Sequence, residues 1–119
     1  MSNLELYNRL GGEAVMDVVV ERFYYVIMVD NRINHMFTSI NVKNQITMLK
    51  RFLNHILGGR SYNGRNMRNA HKNLKLADEH FDAMVEDLIK AMNEVGIFEE
   101  DIQQVLTVVE TTRKDVLNR

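Results

Sequence analysis

Not one proline occurs in the 119 residues, and the six glycines fall as two doublets, Gly11-Gly12 and Gly58-Gly59, and two singles, Gly64 and Gly96. Proline ends a helix by removing a donor and clashing with the preceding turn, so a chain without it is punctuated only where glycine or polar clusters allow a turn. The glycines cut this chain into helix-sized pieces, and the apolar residues within each piece keep a helical period.

From Glu13 to about Asp30, Met16, Val19, Val20, Phe23 and Ile27 recur at that spacing, and the length favours helix even though the run Val18-Val19-Val20 alone would suit a strand. A second stripe, Ile46, Leu49, Phe52, Leu53 and Ile56, runs from Val42 to Leu57, with Gly58 placed to end it. The third is the clearest: Asp78 is expected to cap a helix in which Phe81, Met84, Val85, Leu88, Met92 and Val95 hold one face up to Gly96. A fourth is expected from about Glu99 to Asn118 through Ile102, Val105, Leu106, Val109 and Val116. Short helical candidates lie at Arg32 to Phe37, through Ile33 and Met36, and at Met67 to Asn73. The chain reads as one all-α domain over residues 1–119, with no repeat, low-complexity tract or interdomain linker.

Composition narrows the chemistry. Fifteen Lys and Arg against 16 Asp and Glu give a formal charge of -1, so no overall field draws the chain to nucleic acid, and no basic run does so locally. Cysteine is absent, which removes disulfides, thiolate catalysis, iron–sulfur ligation and cysteine-bearing zinc sites. The start, Met1-Ser2-Asn3-Leu4-Glu5, lacks the basic and apolar regions of a secretory signal, and no apolar stretch is long enough to span a bilayer. A cytoplasmic protein without membrane contact is expected, with a monomer as its form. No ExxH pair is present to build a di-iron carboxylate site.

The segment between the second and third long helices, Arg60 to Ala77, is rich in Asn, Gly and Arg, and a bundle built only for compactness would not need so long a polar crossing. His71 sits inside it, with Met67 four residues before and Leu74 three after, so the three share a helical face. An apolar face carrying one imidazole suits the proximal side of a haem. Elsewhere, Tyr24 lies one residue beyond Phe23 and four beyond Val20, so it can bring a hydroxyl to the edge of the buried region. Gln45 precedes Leu49 by four on the inward side of its helix. Buried polar groups need partners, and a phenol and an amide can satisfy each other or both address a small polar ligand. Each residue alone also has a plain structural explanation: a core-edge histidine, a hydrated glutamine.

Together these residues carry a resemblance to the group I truncated haemoglobins. It runs through Leu6-Tyr7-Asn8-Arg9-Leu10-Gly11-Gly12, Phe23-Tyr24, Phe37, Asn44-Gln45, Phe52-Leu53 and Leu57-Gly58-Gly59. It continues in Tyr62-Asn63-Gly64-Arg65-Asn66-Met67, Ala70-His71, His80-Phe81-Asp82-Ala83 and Thr112-Arg113-Lys114-Asp115-Val116-Leu117-Asn118. No piece is specific alone; their order and spacing are. The resemblance implies a shortened globin-like fold, two helices over two, around a haem b. In it His71 is the proximal iron ligand, Tyr24, Gln45 and Leu49 form the distal wall, and the glycine doublets act as hinges. Phe37 packs on the porphyrin, and Met48, Phe52, Met67 and Met84 are expected to contribute to the cofactor slot.

The implied function is reversible binding of dioxygen at ferrous iron, with carbon monoxide and nitric oxide as further ligands. Tyr24 and Gln45 would donate hydrogen bonds to the partly negative oxygen, and a backbone carbonyl would take the second N–H of His71. Three departures from the family pattern matter. Met48 replaces a histidine that in certain cyanobacterial members fills the sixth iron position. Thr112 replaces a histidine that in one such member is bonded to the haem, so a non-covalent haem is expected. Leu49 is apolar where many members have glutamine or threonine. Arg51, Tyr62 and Arg68 are candidate propionate partners, and His35, His55 and His80 are expected at the surface or haem edge. The alternatives are nitric oxide dioxygenation or a peroxidase-like side activity, needing a separate reductase because the chain has no nucleotide fingerprint, and a cofactor-free helical interaction domain.

Overall fold

The computed structural model describes residues 3–36, 43, 46, 47, 49–51, 53 and 76–117, and every regular element among them is helical. In chain order these are α1 (Asn3–Leu10), α2 (Gly12–Met28), a 3-10 turn (Asn34–Met36), α3 (Asp78–Val95), α4 (Glu99–Glu110) and α5 (Arg113–Leu117). The described residues between 43 and 53 are helical as well, in line with the second apolar stripe. Met67 to Asn73 and the expected stop at Gly58 lie outside the described residues.

The corner between α1 and α2 depends on glycine. Gly11 and Gly12 take φ +115° and +70°, in the left-handed region that side chains disfavour, and the Gly11 N–H closes α1 on the Asn8 carbonyl at 3.1 Å. A Cβ on Gly11 would overlap Val15 Cγ2. The chain therefore folds α1 back on α2, where Arg9 Nε reaches Asp101 Oδ1 on α4 at 2.8 Å and Arg9 Nη2 reaches Gln104 Oε1 at 2.7 Å.

Among the described helices, α2 and α3 form the most extensive pair. The expected face of α2, Met16, Val19, Val20, Phe23 and Ile27, is buried, and Val18 points to solvent, so only two of the three consecutive valines enter the core. On α3 the buried set is Phe81, Ala83, Asp87, Leu88, Ala91 and Met92. Met84, Val85 and Val95 are partly buried beside it. Ile33, Leu53, Ile102, Val105, Val109 and Leu117 complete one contiguous core.

Two boundaries differ from the sequence expectation. The N-cap of α3 is Ala77, in extended backbone, and Asp78 is the first helical residue. The Ala77 N–H donates to His80 Nδ1 at 2.9 Å, and the Asp78 carboxylate is engaged by Arg113 Nη1 at 2.9 Å. Asp78 still places negative charge at the helix N-terminus, with Glu79 beside it. The fourth helix is broken, because Thr111 and Thr112 turn their hydroxyls back onto the carbonyls of Val108 and Val109 at 2.6 and 2.7 Å. Such local bonds compete with the helical ladder. A new helix, α5, starts at Arg113, whose guanidinium stacks 4.4 Å from the Phe81 ring centroid and meets Asp78, Asp82 and Glu110.

Gly96 ends α3 as expected. Its φ is +97°, and the Ile97 N–H returns to the Met92 carbonyl at 3.0 Å, the six-to-one bond of a Schellman stop. None of the described helices is long and apolar enough to cross a membrane.

Candidate functional site

Tyr24 is positioned by the middle of α2. Its neighbours Val20, Phe23 and Ile27 are almost fully buried in the core, and Tyr24, 8% exposed, is buried beside them with slightly more of its surface left open. Among the described residues its hydroxyl has no hydrogen-bond partner. A phenol buried at the border of a core keeps its ring in apolar surroundings and its one O–H available as a donor.

Leu49 lies on the helical stretch between 43 and 53, half-buried and packed against the core. The next residue fixes that stretch to the beginning of α2. Lys50 Nζ lies 2.7 Å from Asp17 Oδ1 and 3.0 Å from Glu13 Oε1, and the two carboxylates raise the ammonium above its ordinary range, Asp17 acting first. Ion pair and apolar contact thus tie the element bearing Leu49 to the element bearing Tyr24.

Met84 is half-buried on α3 against the core. His35 and Arg51 are exposed, and half-buried His80 accepts the Ala77 N–H, a capping role its sequence position did not reveal. Thr112 is fully buried and its hydroxyl is spent on the Val109 carbonyl. Phe37, Gln45, Met48, Phe52, His55, Tyr62, Met67, Arg68 and His71 lie outside the described residues. Among the described residues no group of three His, Asp or Glu side chains is arranged to hold a metal ion.

A second polar constellation went unread in the sequence. Asp30, just past α2, takes three bonds from Arg32: from its N–H at 2.9 Å, Nε at 3.0 Å and Nη2 at 2.8 Å. Arg32 also reaches Glu86 Oε2 at 3.0 Å and stands 3.7 Å from Asp87 Oδ1. Asp87 is only 5% exposed, and its Oδ2 is fully buried with no hydrogen-bond partner among the described residues. Burial, then the hydrogen bond and negative charge of Asp30, push the Asp87 carboxyl up to about 7, while Arg32 holds Asp30 well below the usual carboxylate range. The signal was available: Asp87 stands four residues from each of Ala83 and Ala91, on a buried stripe too small-sided to score as apolar.

Comparison with known proteins gives a consistent result. The family model described as bacterial-like globin matches residues 5–118. The group 1 truncated hemoglobin of Tetrahymena thermophila is 37% identical over 115 residues, covering 96% of this chain and 95% of that protein. A Synechocystis group 1 truncated hemoglobin is 40% identical over 121 residues, covering 96% and 98%. Among solved structures, the truncated hemoglobin of Tetrahymena pyriformis in its Fe(III) form superposes with a TM-score of 0.86 at 38% identity, covering 94% of this chain and 97% of that one. The 2/2 hemoglobin of a Synechococcus species, in the cyanomet state with covalently attached heme, gives 0.88 at 38% identity, covering 96% and 98%.

Proposed function

We propose, starting from the fact that this chain belongs to the bacterial-like globin family and stands among its group 1 truncated haemoglobins, that it is a single-domain haem protein which binds dioxygen reversibly, with carbon monoxide and nitric oxide as competing ligands. The observation that carries this is Tyr24: a phenol on α2 whose ring is buried and whose hydroxyl has no hydrogen-bond partner among the described residues. A phenol whose ring is buried and whose O–H is uncommitted is placed to donate to a bound ligand. That donor suits a haem pocket. Haem b, when bound, supplies the ferrous iron at which a diatomic gas is taken up.

The chain's own residues do the rest. His71 gives an imidazole nitrogen lone pair on the proximal side. Tyr24, assisted by the Gln45 amide, donates a hydrogen bond to whichever diatomic ligand carries the more negative outer atom, and dioxygen gains more from this than carbon monoxide. Leu49, without a polar atom, keeps that wall dry and leaves the donor work to Tyr24 and Gln45. Phe37, Met48, Phe52, Met67 and Met84 supply apolar contact for the macrocycle. Thr112 has no imidazole to offer, and its hydroxyl is already bonded, so the haem is held without a covalent link.

The test is haem binding and its proximal bond. The folded protein is expected to take up haemin stoichiometrically, and its ferrous form to show a histidine–iron stretch by resonance Raman that is lost in His71→Gly and restored by added imidazole. A folded protein that takes up no haemin, or a stretch that survives His71→Gly, overturns the assignment.

A further inference from the structure

Asp87 is a buried acid that gas binding does not use. It sits on the face of α3 that packs on α2, and it is the only described side chain with a fully buried oxygen left unpartnered. Facing it from the turn after α2 are Asp30 and Arg32, and on its own helix Glu86 is adjacent. The cation there serves Asp87 only weakly: Arg32 gives its hydrogen bonds to Asp30 and Glu86, and at 3.7 Å from Asp87 Oδ1 it stabilises that carboxylate by charge alone, less than burial and Asp30 oppose it. Three bonds from Arg32 keep Asp30 ionised, so any proton held between the two acids belongs to Asp87. A neutral carboxyl can leave one oxygen unpaired in an apolar setting at far lower cost than a carboxylate can.

We propose that Asp87 and Asp30 share one proton and form a latch: in the protonated state it holds the turn over residues 30–36 against α3, and on loss of the proton the two carboxylates repel and release that turn. Besides the latch, the turn is tied to α3 by the exposed Arg32–Glu86 pair at 3.0 Å and to the end of α2 by Asn34 Nδ2 donating to the Met28 carbonyl at 3.1 Å. It is closed by local bonds, Ile33 and Asn34 N–H to the Asp30 carbonyl at 3.2 and 2.9 Å and Met36 N–H to Ile33 at 3.0 Å, with Ile33 as its buried anchor.

The pH window follows from the direction of the shift. The folded chain holds its Asp87 proton up to about 7, whereas an unfolded chain loses it in the ordinary aspartate range. Stability from the latch is therefore complete below that ordinary range and is lost as pH rises to about 7. Asp30, held low by Arg32, stays ionised throughout this window.

Infrared difference spectra and amide hydrogen exchange on the protein as isolated test the proposal. A protonated carboxylic acid band is expected at about pH 5, disappearing near neutrality and missing from Asp87→Asn. After correction for intrinsic exchange, the amides of Ile33 and Asn34 are expected to lose about tenfold in protection between about pH 5 and pH 8, and less than about twofold in Asp87→Asn. In Asp30→Asn, Arg32 is freed to pair with Asp87, so the acid band is expected to vanish at lower pH; this variant serves if Asp87→Asn does not fold. An absent band, a band unmoved in Asp30→Asn, or equal exchange changes in parent and Asp87→Asn overturn the latch.

Discussion

Replacing Tyr24 by phenylalanine removes one oxygen atom from a side chain that is 8% exposed, and the two consequences have opposite signs. For ligand binding, a donor to a charge-bearing acceptor in a dry pocket contributes about 1.5 to 3 kcal/mol, which corresponds to about tenfold to more than hundredfold faster oxygen release from the ferrous haem-loaded protein. Carbon monoxide carries less charge, so its release is expected to change by less than about threefold. For folding, the ring contacts are kept and the hydroxyl gives up no described partner, so the apoprotein is expected to hold its unfolding free energy within about 0.5 kcal/mol or to gain. Stopped-flow displacement measures the first effect and urea unfolding of the apoprotein the second. Equal acceleration for both gases, or a stability loss above about 1 kcal/mol with oxygen release unchanged, refutes Tyr24 as the distal donor and makes it a structural residue.

Gly11→Ala combines a left-handed backbone with a Cβ that would overlap Val15 Cγ2, whereas Gly96→Ala meets nothing within 4 Å, so unfolding free energies from urea titration are expected to fall by about 2 to 4 kcal/mol for the first and about 1 to 2 kcal/mol for the second. Adding Val15→Ala to Gly11→Ala relieves the clash only, and a double variant no more stable than Gly11→Ala refutes that contact. Arg113→Met is expected to cost about 1 to 2 kcal/mol, mostly through the lost stacking on Phe81 because the three carboxylates are about half exposed, and the cost should persist in 1 M salt. Lys50→Met behaves the other way: its loss of less than about 1 kcal/mol should shrink as added salt screens Glu13 and Asp17, which a salt series of thermal midpoints decides.

What the sequence disclosed tracks side-chain size. The face of α2 and the position of Tyr24 followed from large apolar residues at regular spacing, and every expected member is buried. On α3 the same template found Phe81, Leu88 and Met92 but passed over Ala83, Asp87 and Ala91, because residues without bulk leave no periodic trace even where two helices meet closely. The break at Thr111-Thr112 was hidden for a different reason: neither glycine nor proline marks it, only hydroxyls that prefer the carbonyls behind them. α1 escaped notice because eight residues offer too few turns for a period to register, and its place is secured by a glycine corner and by Arg9 reaching a helix 92 residues away. His71 and Gln45 were legible only as members of an ordered set of motifs, since spacing alone also permits an ordinary core-edge histidine and a hydrated amide.

Apart from Arg32, which meets Glu86 and Asp87 midway along α3, the long-range ion pairs of the described residues gather at helix ends or rims: Arg9 with Asp101, Arg22 with Glu94, Lys50 with Glu13 and Asp17, Arg113 with Asp78 and Asp82. Such a hoop of charge around an oily interior divides labour between register and cohesion. Sequence drift can therefore recolour the outside, trading one clasp for another, without touching the solvent-free body; a designer wishing to retune how this chain meets its surroundings has that hoop to work on, and should leave the valines and alanines beneath it alone.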